Sequence, residues 1–385
     1  MAGNQPTLSS GPRLRVLQII GSPGMGGTEV QLLHFLQRYD RTRMMVDVVC
    51  VQSVEGELRN DYLATGTRLH HCRWSAMVLP FSWRLMRFLK QHRYDVVHAR
   101  LSEVSGAAMA AACAAGVPNR IASYHHTEIR WRRPGTVNRL ATKCLILLTR
   151  FLASQILGVS EACLDAYHPE WRRRTGRFKI SHNGVPVERF CLRPKRELRT
   201  LLNIPDDAFV IGHVGSFREA KNHSTIVEVA GLVVPRAPKA LFLLVGDGPL
   251  RERIETEVNE HDLAGRFLFT GTRHDIPELM AAMNVFLIPS LYEGFATAAI
   301  EAQLSSLPVI ASDLHSLREI LCPEMQAFCR RPEDAEGMSD LILQLLANVE
   351  LRTALGMRGR EYVKHRFSID RMVCRLERVY EGFPD

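Results

Sequence analysis

The chain has 385 residues, of which 46% are hydrophobic and 23% charged, and it carries a formal net charge of +8. These are ordinary globular values, with length enough for two domains. No apolar stretch of about 20 residues is present, which argues against a spanning helix. Nine cysteines without a C-x-x-C pair argue against a disulfide framework or zinc site and for reduced thiols in a cytosol.

In chain order, Met1–Ser10 lacks the charged and apolar regions of a signal peptide and reads as a short disordered leader. Short apolar runs then recur, each followed by a small or polar residue and a helical stretch. In the first half they are Leu14–Ile20, Val46–Val51, Asp95–His98, Arg120–Ser123, Ile156–Gly158 and Lys179–Ser181. In the second they are Phe209–Val214, Ala240–Val245, Phe267–Phe269, Val285–Ile288 and Pro308–Ala311. Strands alternating with helices predict an α/β fold of two Rossmann-like, doubly wound parallel-sheet domains facing a cleft. The polar stretch Val187–Arg199 is the predicted connection. The expected domains span residues 11–190 and 203–366, with a final helix at 367–385 packing back onto the first.

Charge divides unevenly between the halves. Residues 1–200 hold 30 Lys and Arg against 14 Asp and Glu, a net of +16, and the remainder a net of −8. The first half is therefore expected to face something anionic. No zinc-finger, RNP-like or helix-turn-helix signature accompanies the charge, so nucleic acid is not the expected partner. Basic residues interleave with apolar ones in Ser82–Arg93, a predicted basic amphipathic helix, and Trp131-Arg-Arg133 precedes the apolar Leu145–Leu148. An anionic membrane surface fits that pattern; the competing reading is two ordinary helices covering a sheet.

Distinctive polar and glycine motifs follow directly after the predicted strands, where open parallel sheets bind ligands. Gly21–Gly27 follows the first, and His125-His126 follows Arg120–Ser123. Gly215–Lys221 opens the second domain, and Gly246-Asp-Gly248 follows its second strand. After Val285–Ile288 come Glu293 and Glu301, with an Ala-rich helix predicted beyond Gly294. Glu293 then stands at the helix entrance and Glu301 about 12 Å further on. The backbone N–H groups of residues 295–298 lie between them as an expected anion site. Carboxylate, anion cradle and second carboxylate suit the hydroxyl, diphosphate and hydroxyl groups of a nucleotide sugar. A dinucleotide fingerprint at Gly24-x-Gly26-Gly27 competes. It needs an acid about 20 residues on at a strand end, and Asp47 lies instead near the second strand's start.

With these residues in view, the chain resembles the retaining glycosyltransferases of family four, which have the GT-B architecture. The motifs are Gly26-Gly-Thr-Glu29, Gly158-Val-Ser160, Asn183-Gly-Val185, Val214-Gly215 with Lys221, Val245-Gly-Asp-Gly-Pro249, and Glu293…Glu301 within Pro289–Phe295. The resemblance runs from about Arg13 to about Gly382, and Arg371–Tyr380 resembles the family's final crossing helix. It implies transfer of a sugar from a UDP- or GDP-sugar to a saccharide or lipid-linked saccharide, in cell-envelope or extracellular polysaccharide synthesis. The enzyme would be cytoplasmic, peripheral at the membrane's inner face.

The resemblance also implies roles. Glu293 contacts the donor sugar, Glu301 the ribose and Lys221 the diphosphate. Gly26, Gly27, Gly215, Gly294, Phe295, Ala296 and Thr297 line the donor site, and His125 lies at the reaction centre. The family's usual Arg after Gly215 is Ser216 here, and Arg218 is the candidate replacement. No D-x-D motif is present, so no metal or other cofactor is expected; Lys, Arg and helix N-termini would offset the leaving charge. An epimerase or sugar phosphorylase of the same architecture, or a non-catalytic sugar-nucleotide-binding protein, are the alternatives.

Overall fold

The computed structural model describes residues 13–74, 78–128, 136–173, 176–190 and 199–382. Trp131-Arg-Arg133, the first ten residues and part of the predicted connection lie outside the described residues.

The first half forms a seven-stranded parallel sheet. Its strands are β1 Leu14–Ile20, β2 Met44–Cys50, β3 Leu69–His71, β4 Val96–Ala99, β5 Asn119–Tyr124, β6 Gln155–Gly158 and β7 Phe178–Ile180, in the order β3-β2-β1-β4-β5-β6-β7. The second half forms a six-stranded parallel sheet of β8 Phe209–Val214, β9 Ala240–Val245, β10 Phe267–Phe269, β11 Val285–Ile288, β12 Val309–Ser312 and β13 Cys329–Arg330, in the order β10-β9-β8-β11-β12-β13. Each of the runs predicted as strands falls on one of these strands, whereas the apolar Leu145–Leu148 lies in the helix Thr136–Leu152. Helices cover both faces, so central strands such as β4 and β11 are buried throughout and read as continuous apolar runs.

Two edge strands had no such signal. β3 carries two histidines and is only partly buried, and β13 is two residues long. In each sheet the strand order reverses beside the first strand, between β1 and β4 and between β8 and β11. Such a switch point opens a crevice beyond the carboxyl ends of the strands, where ligands bind.

The basic amphipathic helix starts before Ser82, spanning Val78–His92. It buries Phe81, Leu85 and Leu89 at four-residue spacing, the stripe of a surface helix. Trp83 and Leu79 remain exposed.

The last helix, Ile369–Glu381, is capped by the Ser368 side chain and ends at Gly382 in the left-handed conformation. Ile369, Met372, Val373, Leu376, Val379 and Tyr380 form one buried face, which joins the core around β1, β2 and the helix Gly27–Arg38. A bridge between Val185 and Ser368 leads the chain there. A Cβ on Gly184 would lie 2.6 Å from the Ile369 Cα, so the Asn183-Gly-Val185 motif is the floor on which this helix rests. Gln31 completes that floor by accepting from the Gly184 N–H at 2.9 Å.

Candidate active site in the interdomain cleft

The loop after β11 carries Glu293 and Gly294 against the first half of the chain. A Cβ on Gly294 would fall 2.0 Å from the His125 carbonyl oxygen, so only glycine permits this approach. Ser160 Oγ donates to the Gly294 carbonyl at 2.7 Å, and Thr127 Oγ1 to the Glu293 carbonyl at 3.1 Å. The Gly158-Val-Ser160 motif thus belongs to the junction. Ser160 also caps the helix Glu161–Tyr167. From the other half, Glu319 accepts from the Glu161 and Ala162 N–H groups at 2.9 and 3.0 Å. A carboxylate on a helix N-terminus is a favourable charge placement.

Glu293 is buried and ion-paired. Lys221 Nζ lies 2.6 Å from its Oε1, and Ser290 Oγ donates to the same oxygen at 2.7 Å. Lys221 ends a short turn after β8, held because Asn222 takes the left-handed conformation and its amide donates to the Pro289 and Pro332 carbonyls. Gly215 leaves room for this lysine; a Cβ there would meet Lys221 Cδ and Cε at 3.4 Å and His213 Nε2 at 2.9 Å. Gly246, at φ +135°, packs so closely that a Cβ would sit 2.1 Å from the Gly215 carbonyl oxygen. Arg218 and Ser216 are exposed, and the Arg218 side chain has no hydrogen bond or ion pair among the described residues. Its guanidinium is available beside Lys221 rather than built into the loop.

The helix after Gly294 begins later than the sequence suggested, at Thr297, with Ala296 as its N-cap. Thr297 N–H turns back onto the Phe295 carbonyl at 3.0 Å. The expected cradle of four free N–H groups is therefore corrected: the Thr297 N–H is already bonded, because the chain makes a tight turn before the helix starts. Phe295 stacks on His182 at 5.5 Å and meets Phe367 edge-on. Its ring is part of the junction. Ala296 is likewise buried. Glu301 is partly buried, and desolvation pushes its carboxyl up to about 7, against the opposing pull of Arg189.

On the first half, Gly26 and Gly27 lie exposed at the start of the helix Gly27–Arg38. A Cβ on Gly26 would strike Glu29 Oε2 at 2.2 Å, whereas Gly27 has open space. Burial raises the Glu29 carboxyl, and the neighbouring Arg100 opposes the shift. His125, at the end of β5, is 9% exposed. Its Nε2 is 2.8 Å from Ser123 Oγ and its N–H donates to Ser102 Oγ. Burial first, then the charge of Arg100, lowers its pKa well below the ordinary value, so the ring is neutral near pH 7.

His125, Gly294, Glu293, Ser290 and Lys221 are thus one connected cluster, with Gly215 packed beneath the lysine. Gly26 and Gly27 stand at the start of the first helix, and among the described residues no hydrogen bond or ion pair joins them to the Glu293 loop. Arg189 and Arg100 escaped the sequence reading. Arg189 lies in the stretch read as a connection. Arg100 follows directly on β4, and the strand-end rule that flagged His125 would have found it. Among the described residues, no group of three or more His, Cys, Asp or Glu side chains could hold a metal ion.

Comparison with known proteins agrees with this architecture. Residues 25–189 match the family described as Glycosyltransferase Family 4, and residues 194–362 the family described as Glycosyl transferases group 1. The EpsF protein of Bacillus subtilis is 29% identical over 78% of this chain and 79% of that one. An Escherichia coli enzyme named UDP-Gal:alpha-D-GlcNAc-diphosphoundecaprenol alpha-1,3-galactosyltransferase is 24% identical over 97% of this chain and 98% of its own. The fold matches that of Anabaena HepE, crystallised with UDP, with a TM-score of 0.81 at 20% identity, covering 97% of this chain and all of that one. The protein is a two-domain GT-B enzyme that uses a nucleotide sugar. It belongs to the family-four, group 1 glycosyltransferases, a retaining family related to bacterial exopolysaccharide and capsule enzymes.

The raised Glu301 carboxyl generates a pH prediction. In the role that the resemblance implies for Glu301, ribose hydroxyls donate to its carboxylate, so donor binding would favour the ionised form. Below pH 7 binding must expel a proton, and above it the carboxylate is already formed. Donor affinity is expected to rise by about tenfold from pH 6 to pH 8 and then level off. Glu301→Gln should bind more weakly with a flatter profile. Titration calorimetry checks both, and an unchanged profile in Glu301→Gln would remove this residue from the donor site.

Proposed function

We propose that this enzyme transfers a hexosyl unit from a UDP-sugar to a lipid-linked saccharide at an anionic membrane surface, during assembly of an envelope or extracellular polysaccharide. The observation that carries the chemistry is the Lys221–Glu293 pair, clasped beside His125 at the meeting of the two sheet edges. The donor class is supported by HepE, which has been crystallised with UDP-glucose. The acceptor class is supported by the Escherichia coli relative, named for a diphosphoundecaprenol-linked saccharide and matching nearly end to end.

In this reading the donor diphosphate takes Lys221 as its counter-ion, with Arg218 closing over it as a second cation and the N–H groups of Phe295, Ala296 and Ala298 beneath. Ser290 keeps Glu293 in place as the lysine turns to phosphate, so the carboxylate accepts from the donor sugar's hydroxyls. Glu301 holds the ribose. Neutral His125 hydrogen-bonds a sugar hydroxyl at the reaction centre. The leaving phosphate oxygen accepts the acceptor's proton as the acceptor oxygen attacks the same face, which retains configuration. Fixed cations and N–H dipoles at a water-poor site stabilise the departing diphosphate without a metal.

The membrane reading is supported by the outer surface of the first domain. The helices Val78–His92 and Thr136–Leu152 expose Leu79, Trp83, Leu140, Leu147 and Phe151. Arg87 lies over the Trp83 ring, and Arg84, Lys90, Arg139 and Lys143 belong to the same two helices. Exposed apolar side chains with basic neighbours suit an anionic bilayer. Among the described residues no helix is long and apolar enough to cross a membrane.

Glu293→Gln and Lys221→Ala are expected to lower transfer by at least about a hundredfold while circular dichroism stays native, and wild-type transfer should persist in EDTA. Native turnover from either variant, or loss of wild-type transfer in EDTA that Mg²⁺ or Mn²⁺ restores, would contradict the charge arrangement described. The protein should also sediment with anionic liposomes at low salt and detach at high salt, each basic residue contributing about 1 kcal/mol. Replacing Arg84, Arg87 and Lys90 together by Ser should weaken sedimentation. Protein left in the supernatant with anionic lipid at low salt would favour a soluble acceptor.

A further inference from the structure

Between the strand ends of the first sheet and the last helix lies a small cavity of about 10 Å³, roughly the space of one water. Its lining includes His98, Arg100, Ser123 and His125 from the sheet side and Met372 and Leu376 from the helix Ile369–Glu381. Three of these side chains end in a buried polar atom with no hydrogen-bond partner among the described residues: His98 Nε2, Arg100 Nη2 and His125 Nδ1. Their residues are 1%, 8% and 9% exposed. Leaving three such atoms unsatisfied in one place would be costly.

The surrounding hydrogen bonds assign the protons. Arg100 Nε donates to Gln18 Oε1 at 3.0 Å, which fixes the amide orientation. Gln18 Nε2 therefore donates to the Tyr380 hydroxyl at 2.7 Å. That hydroxyl stays protonated, because burial raises its pKa. It lies 2.8 Å from His98 Nδ1, and among the described residues no other acceptor is within reach of its proton, so His98 Nδ1 accepts it. His98 then carries its own proton on Nε2. The cavity thus receives two donors, His98 Nε2–H and an Arg100 Nη2–H, and His125 Nδ1 is left as the complementary acceptor.

We infer that Arg100 and His98 hold a single water that donates to His125 Nδ1, making Arg100 and Tyr380 positioning residues that fix His125 as its Nε2–H tautomer. The water accepts twice and donates once, an ordinary coordination for buried water. His125 Nε2–H then donates to Ser123 Oγ, and the ring is locked from both ends. The other charged or titratable groups acting on this histidine are His126 on its own loop and His98 on the neighbouring strand, and the Glu293 loop packs against it at Gly294. Through Tyr380 the seating of the last helix is coupled to the cleft. The importance of this device for turnover rests on His125 serving the transferase site proposed above.

The test uses the full-length protein labelled with ¹⁵N at histidine, without substrate, in wild type and Tyr380→Phe. Wild-type His125 should show a protonated Nε2 and a bare Nδ1, and Tyr380→Phe should show mixed tautomers. Its transfer kcat should fall by about tenfold with donor KM nearly unchanged, as for a misplaced reacting group. Arg100→Lys keeps the charge but loses the planar fork, and it should have the same effect if Tyr380→Phe does not fold. A wild-type Nδ1–H tautomer, or an unchanged His125 spectrum in both variants, would overturn the inference. Because the spectrum is read without substrate, that failure is distinct from an absence of glycosyl transfer, which the turnover assay alone reports.

Discussion

The missing side chain of Gly294 lets two sheets that share no strand build one site. With a Cβ only 2.0 Å from the His125 carbonyl oxygen, any other residue would force the β11 loop away from the first domain. The contact is held on both sides, by Ser160 and Thr127 above it and by Glu319 on the helix Glu161–Tyr167. From it follow the placement of Glu293 beside the first domain's strand ends and the burial that perturbs the nearby acids and bases.

Electrostatics within the cleft are governed by desolvation more than by pairing. His98 and His125 are pushed toward neutrality, and Glu29 and Glu301 toward protonation, each with burial as the first cause. Arg100 lies among them with no carboxylate ion pair among the described residues and acts on three of the four. The second domain solves the opposite problem at Lys221, where Glu293 neutralises the cation directly. An anionic ligand taken there would replace one negative partner by another, so the half-buried lysine would keep a counter-charge.

Much of this was legible in the sequence for a physical reason. Strands of a parallel sheet covered on both faces must be continuously apolar, so β1, β8 and β11 announce themselves. Open parallel sheets bind ligands at their strand ends, which pointed to His125, Lys221 and Glu293, and the structure brings these three into one cluster. Edge strands escape this logic, as β3 and β13 did. So did pairings made across the fold. Lys221 and Glu293 are 72 residues apart, and no periodicity relates them. Arg189 looked like part of a linker because its use depends on Glu301, which lies in the other half of the chain. The turn that ties Thr297 N–H to Phe295 is set by local dihedrals, which the Ala-rich pattern does not encode.

The most direct measurement is glycosyl transfer by Gly294→Ala, with nucleotide-sugar binding followed by thermal shift on the same protein. If the clasp at His125 assembles the site, transfer should fall by at least about a hundredfold, the effect of moving a reacting group by about an ångström or more. Donor should still stabilise the variant, because Lys221, Arg218 and Glu301 all belong to the second domain. Wild-type transfer by Gly294→Ala would contradict the account, since it would mean that the two sheet edges need not meet at this glycine.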